Sequence, residues 1–229
     1  MKDWFAGAAA ERYDEDTADM PVAPVVDFLA ALGGGGALEL AIGTGRIAVP
    51  LAARGVRVAG IDLSPDMVAQ LRRKADDIPV AIGDMTTARI DGTFSLVYIV
   101  FNSINNLTTQ DAQVACFENA ARHLEPGGCF VVEVGAVAGH RPLDVFALSE
   151  THVGVDEYDA DTQRLVSHHF RLRDGRWTRR SVPFRAVSPA ELDLMARLAG
   201  MRRRERWSSW TREPFTAEST KHVSVWEKE

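Results

Sequence analysis

Residues 37–62 read ALELAIGTGRIAVPLAARGVRVAGID. The first six, ALELAI (37–42), form an apolar run of buried-strand length. Gly43-Thr44-Gly45 follows as a tight turn. Residues 46–54 (RIAVPLAAR) have helical character, with Pro50 confined to the first turn or kinking the helix, and Gly55 ends it. Residues 56–61 (VRVAGI) are a second strand, closed by Asp62. Strand, glycine turn, helix and strand make one crossover unit of a parallel sheet.

The same alternation extends outward. Upstream, residues 22–32 (VAPVVDFLAAL) carry apolar positions at helical spacing and stop at Gly33–Gly36. Downstream, Ser64 and Pro65 are an N-cap and first-turn pair for a helix over 65–75. Strands are predicted at 78–82 and 94–101. The second of these (FSLVYIVF) is apolar on both faces, as a central parallel strand is. A helix over 109–124 ends at Pro126-Gly127-Gly128, and a strand over 129–137 follows. The pattern then changes. Residues 151–187 contain extended pieces, and Asp174-Gly175 is a hairpin signal between 164–172 and 176–187. Ser188 and Glu191 form a capping box for a last helix ending at Gly200. Strands over 201–207 and 221–227 close the chain. The expectation is one α/β domain over 1–229, a doubly wound and mostly parallel sheet, with an antiparallel β cap inserted at 138–187.

Composition narrows the function. The chain has 229 residues, 46% apolar and 25% charged, with a net charge of −6. That acidity repels phosphate backbones, so no nucleic acid is expected as partner. The arginines at 202–204 and 206 and at 179–180 read as solvated strand faces. Cys116 and Cys129 read as reduced core residues of a cytoplasmic protein. The six histidines and two cysteines show no metal-ligand spacing, and no metal is expected. No signal-like segment opens the chain, and no apolar run reaches the roughly 18–20 residues a bilayer requires. A soluble protein without membrane partner is expected; a homodimer stays open.

Three elements carry chemistry. Glu39-Leu40-Ala41-Ile42-Gly43-Thr44-Gly45-Arg46 sits where the first strand meets the first helix, where glycine permits close approach to a ligand. Asp62 ends the second strand, placed to accept both ribose hydroxyls of an adenosine. Gly83-Asp84-Met85 ends the third, with a carboxylate for an adenine amino group and a thioether to pack on the ring. In order and at strand ends, these elements resemble the class I S-adenosylmethionine-dependent methyltransferases, over roughly residues 35–137. The first motif departs at Ala41, where the family has glycine. The resemblance implies a Rossmann-like fold of seven strands with the last antiparallel, and S-adenosylmethionine as cofactor. It implies that Glu39, Ala41, Gly43 and Gly45 line the methionine part and that Asp62 holds the ribose. Leu63 and Met67 would flank the adenine, with Gly83, Asp84 and Met85 reading it. A nicotinamide fingerprint fits poorly: from Gly43 its third glycine falls on Ala48, and from Ala41 on Arg46.

The acceptor side is read more loosely. The fourth strand runs into Phe101-Asn102-Ser103-Ile104-Asn105-Asn106, polar groups beyond a strand end where ligands bind. The stretch is similar to that of small-molecule N-methyltransferases acting on amino sugars and glycine. Phe101 is expected at the cofactor, and Asn102 and Asn105 at the reacting atoms; the alternative is that the amides cap the next helix. Tyr13, within Glu11-Arg12-Tyr13-Asp14, resembles a tyrosine that closes over the cofactor in relatives, or is a surface residue. His168 and His169 are strand neighbours, so only one can face a pocket; His168 is carried as the candidate base, against a merely structural role. Asp156, Glu157 and Asp159 either attract a cationic amine or form a solvated turn. The function expected is methyl transfer to a small molecule, an amine nitrogen first. O- or C-methylation is the runner-up, and a non-catalytic cofactor-binding domain is the reading from another class.

Overall fold

The computed structural model describes residues 3–136 and 141–229. The first five strands are β1 (Ala37–Leu40), β2 (Val58–Asp62), β3 (Val80–Ile82), β4 (Phe94–Ile99) and β5 (Leu124–Gly135). Next come β6 (Leu143–Leu148), β7 (His152–Asp159), β8 (Arg164–Arg173) and β9 (Arg176–Arg185), then β10 (Met201–Trp207) and β11 (Lys221–Lys228). The main sheet has the order β10-β11-β5-β4-β1-β2-β3, and β6-β7-β8-β9 form a separate four-stranded sheet. In the main sheet β11 pairs antiparallel with both β5 and β10, while the pairs from β5 through β3 are parallel.

The helices are α1 (Ala8–Glu11), α2 (Tyr13–Asp16), α3 (Ala23–Ala30), α4 (Ala48–Ala53), α5 (Pro65–Arg72), α6 (Gln110–His123) and α7 (Pro189–Leu198). Their ends follow local chemistry. Pro50 falls in the first turn of α4, where its missing N–H costs nothing. The Ser64 hydroxyl accepts from Met67 N at 3.3 Å. At α7 the Ser188–Glu191 capping box is reciprocal.

Strand β4 shows why the sheet is covered on both faces. Val97 and Ile99 enter a core shared with Phe117, Phe130 and Trp226, whereas Leu96 and Tyr98 enter a second core with Leu29, Leu51 and Val225. Alternate side chains of one buried strand thus feed two hydrophobic layers, as a doubly wound sheet requires.

Several boundaries differ from the sequence reading. β4 stops at Ile99 instead of 101, because Phe101 and Asn102 turn left-handed at φ 54° and 61°. The second sheet has an additional strand, β6, that alternation alone did not reveal. The end of the fifth strand at Val137 and the first residues of the cap, 138–140, lie outside the described residues. The arginine run of β10 is not only solvated: Arg206 reaches Asp193 at 2.7 Å, and Arg202 reaches Glu227 at 2.6 Å.

Candidate active site

Beyond the carboxyl ends of β1, β2 and β4 lies a cavity of about 660 Å³, walled also by the N-terminal segment and by the β6–β9 cap. This volume falls within the ~300–1,000 Å³ usual for small-molecule sites.

Glu39, in the middle of β1, is 2% exposed and accepts a hydrogen bond from the Tyr98 hydroxyl at 3.0 Å. Burial pushes its carboxyl up to about 8, with the Tyr98 bond and Arg46 opposing. Arg46 lines the same cavity with its guanidinium 5.8 Å from the Phe101 ring centroid. Its Nη1 is buried and has no hydrogen-bond partner among the described residues. Tyr13 faces this corner, and burial raises its phenol to about 12. A buried glutamate and a guanidinium with one unpaired nitrogen on the wall of the same cavity fit the ammonium and carboxylate of an amino acid.

The turn after β1 is held from β2. Asp62 Oδ2 accepts from Gly43 N at 2.6 Å, and Oδ1 accepts from Ser64 N at 2.8 Å. Burial raises its carboxyl above the usual range, with those two backbone donors opposing. Ala41 stands at φ 63° and Gly43 at φ 56°. The alanine thus occupies a backbone that glycine takes freely, at a cost of order 1–3 kcal/mol. Leu63, Met67, Asp84 and Met85 complete the wall on this side. Asp84 Oδ1 accepts from Thr86 N at 2.9 Å and from Thr86 Oγ1 at 2.8 Å, which fixes the carboxylate at the β3 end.

Two of the expected cofactor residues are elsewhere. Gly45 does not line the cavity. A Cβ on it would meet Leu71 Cδ1 at 2.3 Å, so its absence lets the turn before α4 approach α5, and φ +76° favours glycine as well. Gly83 also stands outside the wall, in the turn beneath Asp84, where its N–H donates to Asp62 O at 2.8 Å.

At the far end, Phe101, Asn102, Ser103, Asn105 and Asn106 line the cavity. The Asn102 amide oxygen is occupied, accepting from Gly135 N at 2.6 Å. Oδ1 of Asn105 and of Asn106 are buried without a partner among the described residues. On β8 the alternation points Leu165, Ser167, His169 and Arg171 inward. This corrects the choice of histidine. His168 faces away, with Nδ1 2.8 Å from Ser181 Oγ and Nε2 3.4 Å from Glu157. His169 meets the cavity, backed by His152 at 3.2 Å between ring nitrogens and edge-on by Phe146. Burial, with His152, Arg171 and Arg180 nearby, lowers His169 to about 4. Of the acidic trio, Asp156 lines the cavity, while Glu157 and Asp159 do not.

The N-terminal segment closes the top. Asp14 bonds the Thr44 hydroxyl and takes Lys74 Nζ at 2.6 Å. Asp16 takes Arg171 at 3.2 Å and Arg173 at 3.5 Å from the cap. Arg180 donates to Trp4 O and lies 5.0 Å over the Phe5 ring. Thr44 and Arg46 belong to the glycine motif, but a lone threonine or arginine in a loop carries no periodic signal that assigns it a role, and none announces this clamp.

Fold and donor set define a Rossmann-like domain with a site for an adenosyl amino acid. A family model described as a methyltransferase domain matches residues 37–128. The dTDP-3-amino-3,4,6-trideoxy-alpha-D-glucopyranose N,N-dimethyltransferase of Streptomyces venezuelae is 32% identical over 67% of this chain and 62% of its own length. The cypemycin N-terminal methyltransferase of a Streptomyces species is 29% identical over 96% of both chains. The solved CcbJ methyltransferase of Streptomyces caelestis superposes with a TM-score of 0.87 at 35% identity, over 96% of this chain and 95% of the other. The chain belongs to the class I S-adenosylmethionine-dependent methyltransferases, and the Glu39, Arg46, Asp62 and Asp84 set fits that cofactor.

Proposed function

We propose that the protein methylates the amine nitrogen of a small molecule, an amino sugar first among them. The observation that carries this reading is the wall after β4, where Asn102, Ser103, Asn105 and Asn106 offer neutral donors and acceptors and neither carboxylate nor lysine. The cofactor supplies an electrophilic methyl carbon, and the chain's residues have three tasks. Glu39 and Arg46 hold the amino acid end, and Asp62 and Asp84 the adenosine. The β4 wall and His169 orient the incoming nitrogen as its free base; a neutral amide or imidazole accepts an N–H without fixing the protonated, unreactive form. The N-terminal segment and the cap exclude water.

The relatives support the amine. One is named as an N,N-dimethyltransferase of a dTDP-linked amino sugar, and another as the N-terminal methyltransferase of cypemycin. The test is transfer of a labelled methyl group to nucleotide-linked amino sugars, free amino sugars and peptide α-amines, against phenols and quinols. Turnover of an amine, lost on Asn105→Ala with cofactor affinity retained, supports the reading. Methylation of hydroxyl or carbon acceptors alone overturns it.

A further inference from the structure

Two consecutive non-glycine residues in the left-handed region stand where the reaction is placed. Phe101 (φ 54°) and Asn102 (φ 61°) end β4, and both line the cavity. Such residues persist only where their surroundings hold them. Here the holding comes from β5. Glu133 Oε2 accepts from Phe101 N at 3.0 Å, and Glu133 O accepts from Asn102 N at 3.2 Å. Gly135 N donates back to Asn102 Oδ1 at 2.6 Å. The other carboxylate oxygen, Glu133 Oε1, takes the Trp210 indole N–H at 2.9 Å and has Lys221 Nζ at 3.7 Å. Trp210 is itself wedged edge-on against Phe28, with ring centroids 5.3 Å apart. One half-buried carboxylate therefore bridges the strained turn to the loop between β10 and β11.

We propose that Glu133, braced by Trp210, is a positioning residue that holds the Phe101–Asn102 turn in its left-handed form and so presents the Asn102–Asn106 wall to the methyl acceptor. It touches no reactant; it acts through the turn. The inference rests on the reading of that wall as the acceptor side. Without the carboxylate, the Phe101 N–H loses its acceptor and the turn relaxes toward extended backbone, carrying Asn102 off Gly135. Of the residues expected at the cofactor, Phe101 hangs on this bridge, whereas Glu39, Asp62 and Asp84 stand on β1, β2 and the end of β3, apart from it.

The chemistry dictates an unusual variant series. In Glu133→Gln the side chain keeps one oxygen acceptor for two donors and turns its amide hydrogens on the other. Trp210→Phe removes one of those donors, so Glu133→Gln with Trp210→Phe leaves the amide oxygen free for Phe101. We expect Glu133→Ala to lower kcat about tenfold or more, for the amine best turned over in the screen above, with cofactor Kd within about twofold of wild type. Glu133→Gln falls between, and the double variant recovers kcat relative to Glu133→Gln. Hydrogen exchange supplies a readout without an acceptor: amides of residues 100–103 lose protection in Glu133→Ala while those of β1 and β2 keep theirs. A double variant slower than Glu133→Gln, or unchanged protection of residues 100–103, overturns the proposal. Asn105→Ala separates the two readings. If it leaves turnover intact, the acceptor-side assignment fails; if it lowers turnover and Glu133→Ala does not, only the positioning role fails.

Discussion

Glu39 and Asp62 are acidic residues buried at a site that takes a charged ligand, and each makes a different prediction. Glu39 is held near 8 in the free protein, above the 4.5 of an ordinary glutamate. The unfolded chain loses this proton first, so between about 4.5 and 8 the folded form binds more protons and its stability falls as pH rises. An ammonium group docked on Glu39 favours the carboxylate. Cofactor binding near pH 7 is therefore expected to release about one proton and to tighten as pH rises toward 8. Calorimetry in buffers of different ionisation enthalpy reads this directly; binding with no proton release contradicts it. Asp62 holds its own neighbours, since both its oxygens take backbone N–H groups, and the ribose is expected there as well. Asp62→Ala is expected to weaken cofactor binding on the order of 10- to 100-fold, the loss of hydrogen bonds to a charged group worth about 1.5–3 kcal/mol. Unchanged affinity would place the ribose elsewhere.

Elements decide which face a residue shows, and here sequence and structure part company most clearly. The period of β8 shows that one of His168 and His169 faces inward, but not which one, because parity depends on register against β7 and β9. The observed pairing, His168 with Ser181 and His169 with Arg180, sets it. His169→Asn is expected to reduce turnover roughly three- to tenfold, and His168→Asn to leave it near wild type. His169 sits among His152, Arg171, Arg180 and Asp16 and is already neutral above about pH 5, so its titration leaves no step in a rate profile between pH 6 and 9. The reverse ranking of the two variants would put the wrong face in the site. The glycine motif shows a related limit. Gly43 and Gly45 look alike in sequence, yet only the first meets the cavity and the second makes room for Leu71. Glu39, Asp62 and Asp84 were legible as candidates because acidic residues interrupt or close apolar runs. The Phe101–Asn102 turn was not, because nothing in two ordinary residues announces a positive φ.

For the molecule as a whole, the main sheet and most residues of one cavity at its strand ends could be read because buried strands alternate with capped helices along one stretch of chain. The roof could not, since it joins residues more than 150 positions apart, such as Asp16 with Arg171. Entry and exit of the cofactor are therefore expected to require unclamping this roof. Asp16 holds two cap arginines by pairs about one-third exposed, each worth about 0.2–1 kcal/mol. Asp16→Ala is expected to speed cofactor release roughly three- to tenfold, with little change in the melting midpoint. Stopped-flow displacement checks the rate, and an unchanged rate would show that the segment does not gate the site. Methyl transfer to an amine inside this cavity is tested most directly by mass spectrometry of the product formed from labelled S-adenosylmethionine and a nucleotide-linked amino sugar. Label is expected on the amine nitrogen, at a rate that rises with pH toward the amine's own pKa. Label on oxygen or carbon, or no transfer to any amine offered, would contradict it.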